Sequence, residues 1–544
     1  MIVGIVALPL SMALAIASGV APEHGLNTAI VAGAVAALLG GSRVQVTGPT
    51  AAFVVVLAPV ASRFGLGGLL VATLIAGLLL VAMGAAGMGQ LIEFVPYPVT
   101  TGFTAGIAVV IATLQLKDFL GLTIERMPEH YLERLQALLV ALPSAKAPDV
   151  LLGSSTLAML ILWPRLSRHV PAPLVALALA GGAAWCLSVW APDIAVATIG
   201  SRFSHLVAGL PVPGIPREPP RPAWPWTLPG PDGQPLGLSF SLVRALLPSG
   251  FAIAMLGAIE SLLSAVVSDG MTGRKHDPDV ELLAQGLANL AAPCFGGIAA
   301  TGAIARTATN VRSGARSPLA AACHAAFVLA AVLALAPLLG FLPMASLAAL
   351  LLVVAWNMSE SKHFVHLLRA APRSDVAVLL ACFGLTIVFD MVVAVTVGIV
   401  LAALLFMRRM AEVTGAAIVG EGHPELAEPL PRGGVLYEIA GPLFFGAAQK
   451  AMTALRAVEQ REVRVVVLDL ARVPAIDATG IVALQSLVDR LNEAGIKVIL
   501  VRLQRQPLRA LARAGWRNRK GRLRIFQSFE RGVALARRTL LDRR

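Results

Sequence analysis

Charge is scarce in this chain. Asp, Glu, Lys and Arg make up 14% of its 544 residues, against about 25% in a typical soluble domain, which argues against an ordinary cytosolic enzyme. Cysteine is nearly absent. Cys186, Cys294, Cys323 and Cys382 stand far apart, in or at the ends of apolar segments, and no CxxC spacing occurs. Neither a disulfide framework nor a cysteine metal site is indicated. There is no P-loop, so ATP does not drive the protein's work. Apart from His363 and His366, which read as part of a solvated interfacial turn, the histidines show no ligand spacing. The residues indicate no enzyme chemistry, no metal and no cofactor.

Apolar residues are abundant instead. They make up 57% of the chain, and the mean hydropathy is +0.78. Apolar segments fall near 2–18, 28–40, 49–61, 68–86, 97–116, 150–163, 172–190, 246–268, 281–293, 302–311, 317–337, 341–356, 374–389 and 391–407, about fourteen in all. A membrane-spanning helix needs about 17–25 such residues to cross about 30 Å of hydrocarbon. Segments 28–40, 49–61, 281–293 and 302–311 are too short to do so alone. The first run has no positive region ahead of it, and equally apolar segments follow, so it reads as a first membrane helix and not as a signal peptide. Short, Gly-interrupted segments at matching places in two halves suggest an inverted repeat with broken helices. A Pro-rich loop over 211–235 separates the two sets of seven.

The net charge of +13 is unevenly placed. Residues 1–431 hold 22 basic and 22 acidic side chains, and residues 432–544 hold 22 and 9. Such a basic segment raises the question of nucleic acid. A cytoplasmic domain held beside an anionic leaflet accounts for it more simply, with membrane lipid as the partner. Here VLYEIAG, VRVVVLDL and KVILV read as strands, while AAQKAMTALRAVE, IVALQSLVDRLNEAG and QPLRALARAG read as amphipathic helices, which makes a small α/β domain. With fourteen spans and the start inside, the cytoplasmic turns hold twelve Lys and Arg (among them Arg43, Arg274, Lys275 and Arg316), against Arg63 alone in the short outer turns. That bias places the C-terminus in the cytoplasm.

Charge inside the membrane is costly and points to function. Glu260 lies mid-segment in AIESLLSAV, and Arg306 lies in ATGAIARTATN. Two readings stand: a structural ion pair, or a titratable carboxylate coupled to an anion site. Desolvation favours the neutral carboxyl and a nearby Arg306 favours the charged one, so their separation decides. Ser261 and Ser264 beside Glu260 leave a cation site as a rival. VTGPTAAF (46–53) opens the third segment and ATGAIARTATN (300–310) opens the tenth. Two helix N-termini aimed at one point present unpaired N–H groups and positive dipole ends to an anion. Arg306 would add a bidentate partner. Small residues that merely allow close helix packing are the alternative.

These segments resemble the SulP anion transporters, bacterial relatives of the animal solute carrier 26 family. GIVALPLSMALAIASGVAPEHGL is similar to that family's first-helix signature, TGPTAAF to its third-helix start and GAIARTATNVRSGARSPLA to its tenth. VVVLDLARVPAIDATGIVAL resembles a STAS domain. Within the family, LIEFVPYPVTTGFTAGI and LLVVAWNMSE resemble the aerobic C4-dicarboxylate transporters of enteric bacteria. The resemblance implies a UraA-like polytopic fold of seven plus seven inverted helices over residues 1–410. Core helices 1–4 and 8–11 would move against gate helices 5–7 and 12–14. A linker (411–431) and a cytoplasmic STAS domain (432–544) would follow. It further implies a homodimer in the bacterial inner membrane, with its N-terminus in the cytoplasm, that takes up C4-dicarboxylates such as succinate and fumarate together with protons; sulfate or bicarbonate as substrate, and sodium as the coupling ion, are the alternatives. An anion sensor signalling through the STAS domain is a further alternative. Matched by position, the resemblance places the substrate against Leu10, Leu14, Thr50, Ala51, Ala303, Ile304, Ala305 and Arg306, and coupling at Glu260. Ala305 stands where the family often has Ser. The STAS loop reads Asp477-Ala478-Thr479-Gly480 and lacks the double hydroxyl of phosphorylated relatives.

Overall fold

In the computed structural model every one of the fourteen apolar segments is helical. The structure describes residues 2–92, 95–124, 127–128, 130–167, 170–207, 210–389, 391–413, 415–419, 426, 428–444, 463–519 and 522–542. They fall into two compact units, Met1–Ile399 and Val400–Arg544.

In the first unit the helices are α1 (Ile2–Ala17), α2 (Pro22–Leu39), α3 (Ala51–Ala85), α4 (Gly89–Ile92), α5 (Tyr97–Phe119), α6 (Tyr131–Ala141), α7 (Ala147–Leu166), α8 (Ala172–Trp190), α9 (Ile199–Arg202), α10 (Phe240–Thr272), α11 (Pro278–Ala291), α12 (Ile304–Arg312), α13 (Leu319–Leu339), α14 (Met344–Met358), α15 (Ser361–Ala370) and α16 (Arg373–Val388). The last helix, α17 (Met391–Val413), continues into the second unit. Eight helical stretches among the described residues are long and apolar enough to cross a membrane. Segments three and four share α3, which breaks at Gly65, where φ is 70° and ψ −173°, a conformation that favours glycine. His363 and His366 lie on α15, an amphipathic helix and not a turn. Polar residues three or four apart (Lys362, His363, His366 and Arg369) with apolar ones between them give that segment a helical period.

Two sets of helices pack among themselves. In one, α3 lies on α10 and α11, α2 on α1, α11 and α13, and α10 on α12. In the other, α5 lies on α14 and α16, and α7 on α8 and α14. Small residues set the spacing in the first set. A Cβ at Gly286 of α11 would sit 2.6 Å from the backbone nitrogen of Val81 in α3, so glycine permits that approach. Two short strands lie among these helices, β1 (Thr47–Gly48) and β4 (Thr301–Gly302). They pair antiparallel, Thr47 with Gly302 and Gly48 with Thr301, and Ala303 N donates to Val46 O at 2.9 Å. The unwound backbone of each break thereby pairs with that of the other. The third segment thus meets the tenth, seven segments on, in opposite direction, as an inverted repeat requires. A hairpin of β2 (Ser204–Val207) and β3 (Leu210–Pro213) takes in the first residues of the Pro-rich stretch.

The second unit is a five-stranded sheet in the order β5 (Gly415–Val419), β6 (Gly434–Ala440), β7 (Val465–Arg472), β8 (Lys497–Val501) and β9 (Leu523–Phe526). β5 is antiparallel to β6 and the other neighbours are parallel. Tyr437, Leu468 and Leu500 point to the face covered by α18 (Ala478–Glu493) and α19 (Arg505–Arg513). Leu436, Val467 and Ile499 point to the face covered by α20 (Phe529–Leu541). Burial on both faces explains the continuous apolar run of β7. The stretch 411–431, expected as a linker, contributes the edge strand β5. The sequence reading missed β9 and α20, because a four-residue strand carrying Arg524 shows little pattern. The expected helix AAQKAMTALRAVE lies outside the described residues.

Candidate functional site

The β1–β4 pair delivers two helix starts to one place. Thr50 is the residue before α3 and Ala303 the residue before α12, and neither caps its helix with a side chain. The first N–H groups of both helices therefore lack the usual hydroxyl or carboxylate acceptor. Thr50 uses its hydroxyl elsewhere. Oγ1 donates to Glu260 Oε2 at 2.7 Å, which ties the start of α3 to the middle of α10.

Arg306 sits in the first turn of α12 and is 5% exposed. Its Nη2 donates to Pro49 O, across the break between β1 and α3. Its Nη1 is buried and has no partner. The fork therefore has one arm holding the opposite helix start and one arm free. Gly48 makes room for it: a Cβ there would sit 2.6 Å from Nη1.

The other expected residues fall around this point. Ala51 and Ala303 are buried, whereas Ile304 and Ala305 keep exposed surface beside the α12 start. Glu260 is also partly accessible. Leu10 and Leu14 lie one turn apart on α1, which packs against α3 and α12. Leu14 is buried and Leu10 partly open. Among the described residues no ion pair joins Glu260 to Arg306. The ion-pair reading is thus not realised, because Thr50 takes the carboxylate and Pro49 takes the guanidinium. Ser261 and Ser264 do not turn toward Glu260. Ser261 Oγ accepts from Gly302 N and lies 2.7 Å from Thr301 Oγ1, and Ser264 Oγ donates to Thr307 Oγ1 at 3.1 Å. Both serines hold the β4–α12 segment in place.

Two uncapped helix starts with one buried guanidinium arm unmet offer hydrogen-bond donors and positive charge and no acceptor of their own. In comparison with known proteins, the profile of the Sulfate permease family matches residues 1–382, and that of the STAS domain matches 427–531.

The chain belongs to the sulfate permease family.

It is 39% identical over 525 residues to YvdB of Bacillus subtilis, by name a sulfate transporter, covering 96% of this chain and 94% of that protein. It is 28% identical to the bicarbonate transporter BicA of Picosynechococcus, covering 93% and 88%. Among solved structures, murine Solute Carrier 26 family member A9, an anion transporter in the inward-facing state, matches with a TM-score of 0.84 at 18% identity, covering 98% of this chain and 90% of that one. That likeness concerns the fold. Family members are anion transporters, and this chain is a multi-pass membrane protein with a STAS domain.

One residue behind this candidate site escaped the sequence reading. Glu281 at the start of α11 is 1% exposed. It accepts from Ser42 N at 3.0 Å, Gln45 Nε2 at 2.9 Å and Gln285 Nε2 at 2.9 Å, and Gln285 Nε2 also reaches Thr47 Oγ1 at 2.8 Å. Backbone and amide donors hold this buried carboxylate, which braces β1 from behind. The signal was an acidic residue in an apolar segment, the same rule that found Glu260. Its place at the segment's first residue hid it.

Proposed function

We propose that the protein carries a small inorganic oxyanion, sulfate in the first place, into the cytoplasm together with protons. The observation that supports this reading is the unpartnered, buried Nη1 of Arg306 between two uncapped helix starts. The anion would lie against Ala51, Ala303, Ile304, Ala305 and Arg306, with Leu10 and Leu14 forming an apolar wall and Thr50 linking the site to Glu260.

Substrate choice follows from the number of cations. Arg306 is the one Arg or Lys among the described residues proposed for this site, and only one of its arms is free. A C4-dicarboxylate carries two carboxylates several ångströms apart, and the second would face no cation. The relatives' names, sulfate for YvdB and bicarbonate for BicA, agree with a compact oxyanion. Bicarbonate is the second reading, since a single guanidinium arm also suits one negative charge.

Coupling would run through Thr50. An anion at the helix starts offsets Arg306, and Glu260, held by the Thr50 hydroxyl, then takes up a proton more readily. Mutual stabilisation of two bound species is the physical basis of symport. Sodium is the rival coupling ion, but Ser261 and Ser264 already have partners in β4 and α12. The first packing set (α1–α3 and α10–α13) would be the moving core, and the second set (α5, α7, α8, α14 and α16) together with α17 the gate. The working unit would be a homodimer in the bacterial inner membrane, with the N-terminus and STAS domain cytoplasmic. Uptake of labelled sulfate into proteoliposomes, with bicarbonate and succinate as competitors and separate pH and sodium gradients, tests this. Competition by succinate at sulfate's own concentration range refutes the compact-oxyanion reading, and uptake that follows sodium and ignores pH refutes proton coupling.

A further inference from the structure

A second concentration of positive charge lies away from Arg306. A cavity of about 680 Å³ is lined by Arg43 from the α2–β1 connection, Arg274, Lys275 and His276 from the turn after α10, and Arg316 from the turn after α12. The one carboxylate in its wall, Asp269, is already engaged. It accepts from His276 N at 3.1 Å and pairs with His276 Nδ1 at 2.7 Å. Among the described residues none of the four Arg and Lys side chains is in an ion pair. The His276 side chain is 4% exposed, yet its Nε2 has no partner. Four unmet cations around one space call for a ligand with several acceptor oxygens, and the buried, unmet imidazole nitrogen of His276 adds a polar group that a ligand hydroxyl or protonated oxygen can meet.

This is not the transport site. Ser268 in the cavity wall lies eight residues beyond Glu260 on α10, about 12 Å along the helix axis. No lining residue comes from α1, α5, α7, α8, α14, α16 or α17. The volume falls within the range of about 300–1,000 Å³ typical of small-molecule sites, which is more than one inorganic oxyanion fills. One wall is rigid. Ser42 N is held by Glu281, and Val44 O accepts from Asn310 Nδ2 at 2.9 Å.

We propose that this cavity is a second anion site, for a ligand that presents phosphate groups to Arg43, Arg274, Lys275 and Arg316. Three guanidinium forks match phosphate oxygens in pairs, and Lys275 adds a point charge. A soluble organic phosphate and the headgroup of an anionic lipid share this chemistry.

The test uses the full-length protein in phosphatidylcholine nanodiscs, with inorganic pyrophosphate as probe by calorimetry, and the same protein in discs containing phosphatidylglycerol. Two results support the site. Pyrophosphate binds in phosphatidylcholine discs and weakens at least tenfold in the Arg43→Gln/Arg274→Gln/Arg316→Gln variant, which identifies a soluble phosphate. Alternatively, phosphatidylglycerol stabilises the wild type against heat but not that variant, which identifies a lipid headgroup. The three side chains are exposed, so the variant should fold, and retained sulfate uptake checks this. The proposal is overturned if neither effect occurs, or if the triple variant behaves as wild type in both. It also fails if sulfate displaces pyrophosphate or Arg306→Ala abolishes its binding, because the cavity is then part of the transport site.

Discussion

Replacing Arg306 by Ala removes two things that the structure separates. The Nη1 arm is free for the anion, and the Nη2 arm holds Pro49 O. A hydrogen bond to a charged group contributes about 1.5–3 kcal/mol, and each ~1.4 kcal/mol is tenfold in affinity. Loss of the first arm should therefore weaken sulfate binding roughly 10- to 150-fold. Loss of the second leaves a buried carbonyl unmet, which costs about 1–3 kcal/mol of stability, visible as a lower melting temperature. Arg306→Lys should fall between wild type and Ala in both measurements. One ammonium can meet Pro49 O or the anion but lacks the planar fork that meets both. The assay is binding of labelled sulfate to purified protein at low and high salt, beside a thermal melt. The affinity loss should persist at high salt, because buried interactions are weakly screened. Undiminished affinity in the Ala variant would refute the reasoning, since the two helix starts would then hold the anion unaided.

Glu260→Gln should still exchange sulfate across proteoliposomes, but an imposed pH gradient should no longer drive accumulation; accumulation that still follows the gradient removes Glu260 from the coupling step. Gly48→Ala, whose Cβ would lie 2.6 Å from Arg306 Nη1, should reduce sulfate affinity at least several-fold, and binding at the wild-type level would show that Nη1 is not the contact. Truncation after Val413, which removes β5 together with its sheet, should leave a membrane unit that folds and inserts but accumulates or transports less; full activity of that unit beside an unstructured isolated C-terminal segment by circular dichroism would contradict both the boundary and the role. Asp469→Ala in the STAS sheet removes a carboxylate that is 0% exposed and bound to Arg502. Arg502 keeps its contact with the Phe529 ring, so the loss of this charge-assisted pair should cost about 1.5–3 kcal/mol, seen as a lower STAS melting temperature in calorimetry of the whole protein.

Much of this protein was legible in its sequence, because a bilayer imposes strong and local rules. Every apolar segment became a helix, since hydrocarbon leaves the backbone no other partner. Segments 49–61 and 302–311 marked the two breaks that β1 and β4 occupy, whereas 28–40 belongs to the unbroken α2; the valine and leucine runs after residue 432 marked a sheet buried on both faces. Arg306 and Glu260 stood out because charge is rare in such segments. The sequence was less informative where a residue's role depends on what lies opposite it. That Thr50 takes Glu260, that Pro49 takes one arm of Arg306, and that Gly48 clears space for the other are contacts between segments more than 200 residues apart. Glu281 bracing β1 and the cation-lined cavity at the turns after α10 and α12 are of the same kind. Local pattern determined which segments are apolar helices and that two of them start at a break. Only the antiparallel meeting of β1 with β4 decided which polar groups were satisfied and which single arm was left for an anion, because hydrogen-bond satisfaction belongs to pairs of segments and no single segment encodes it.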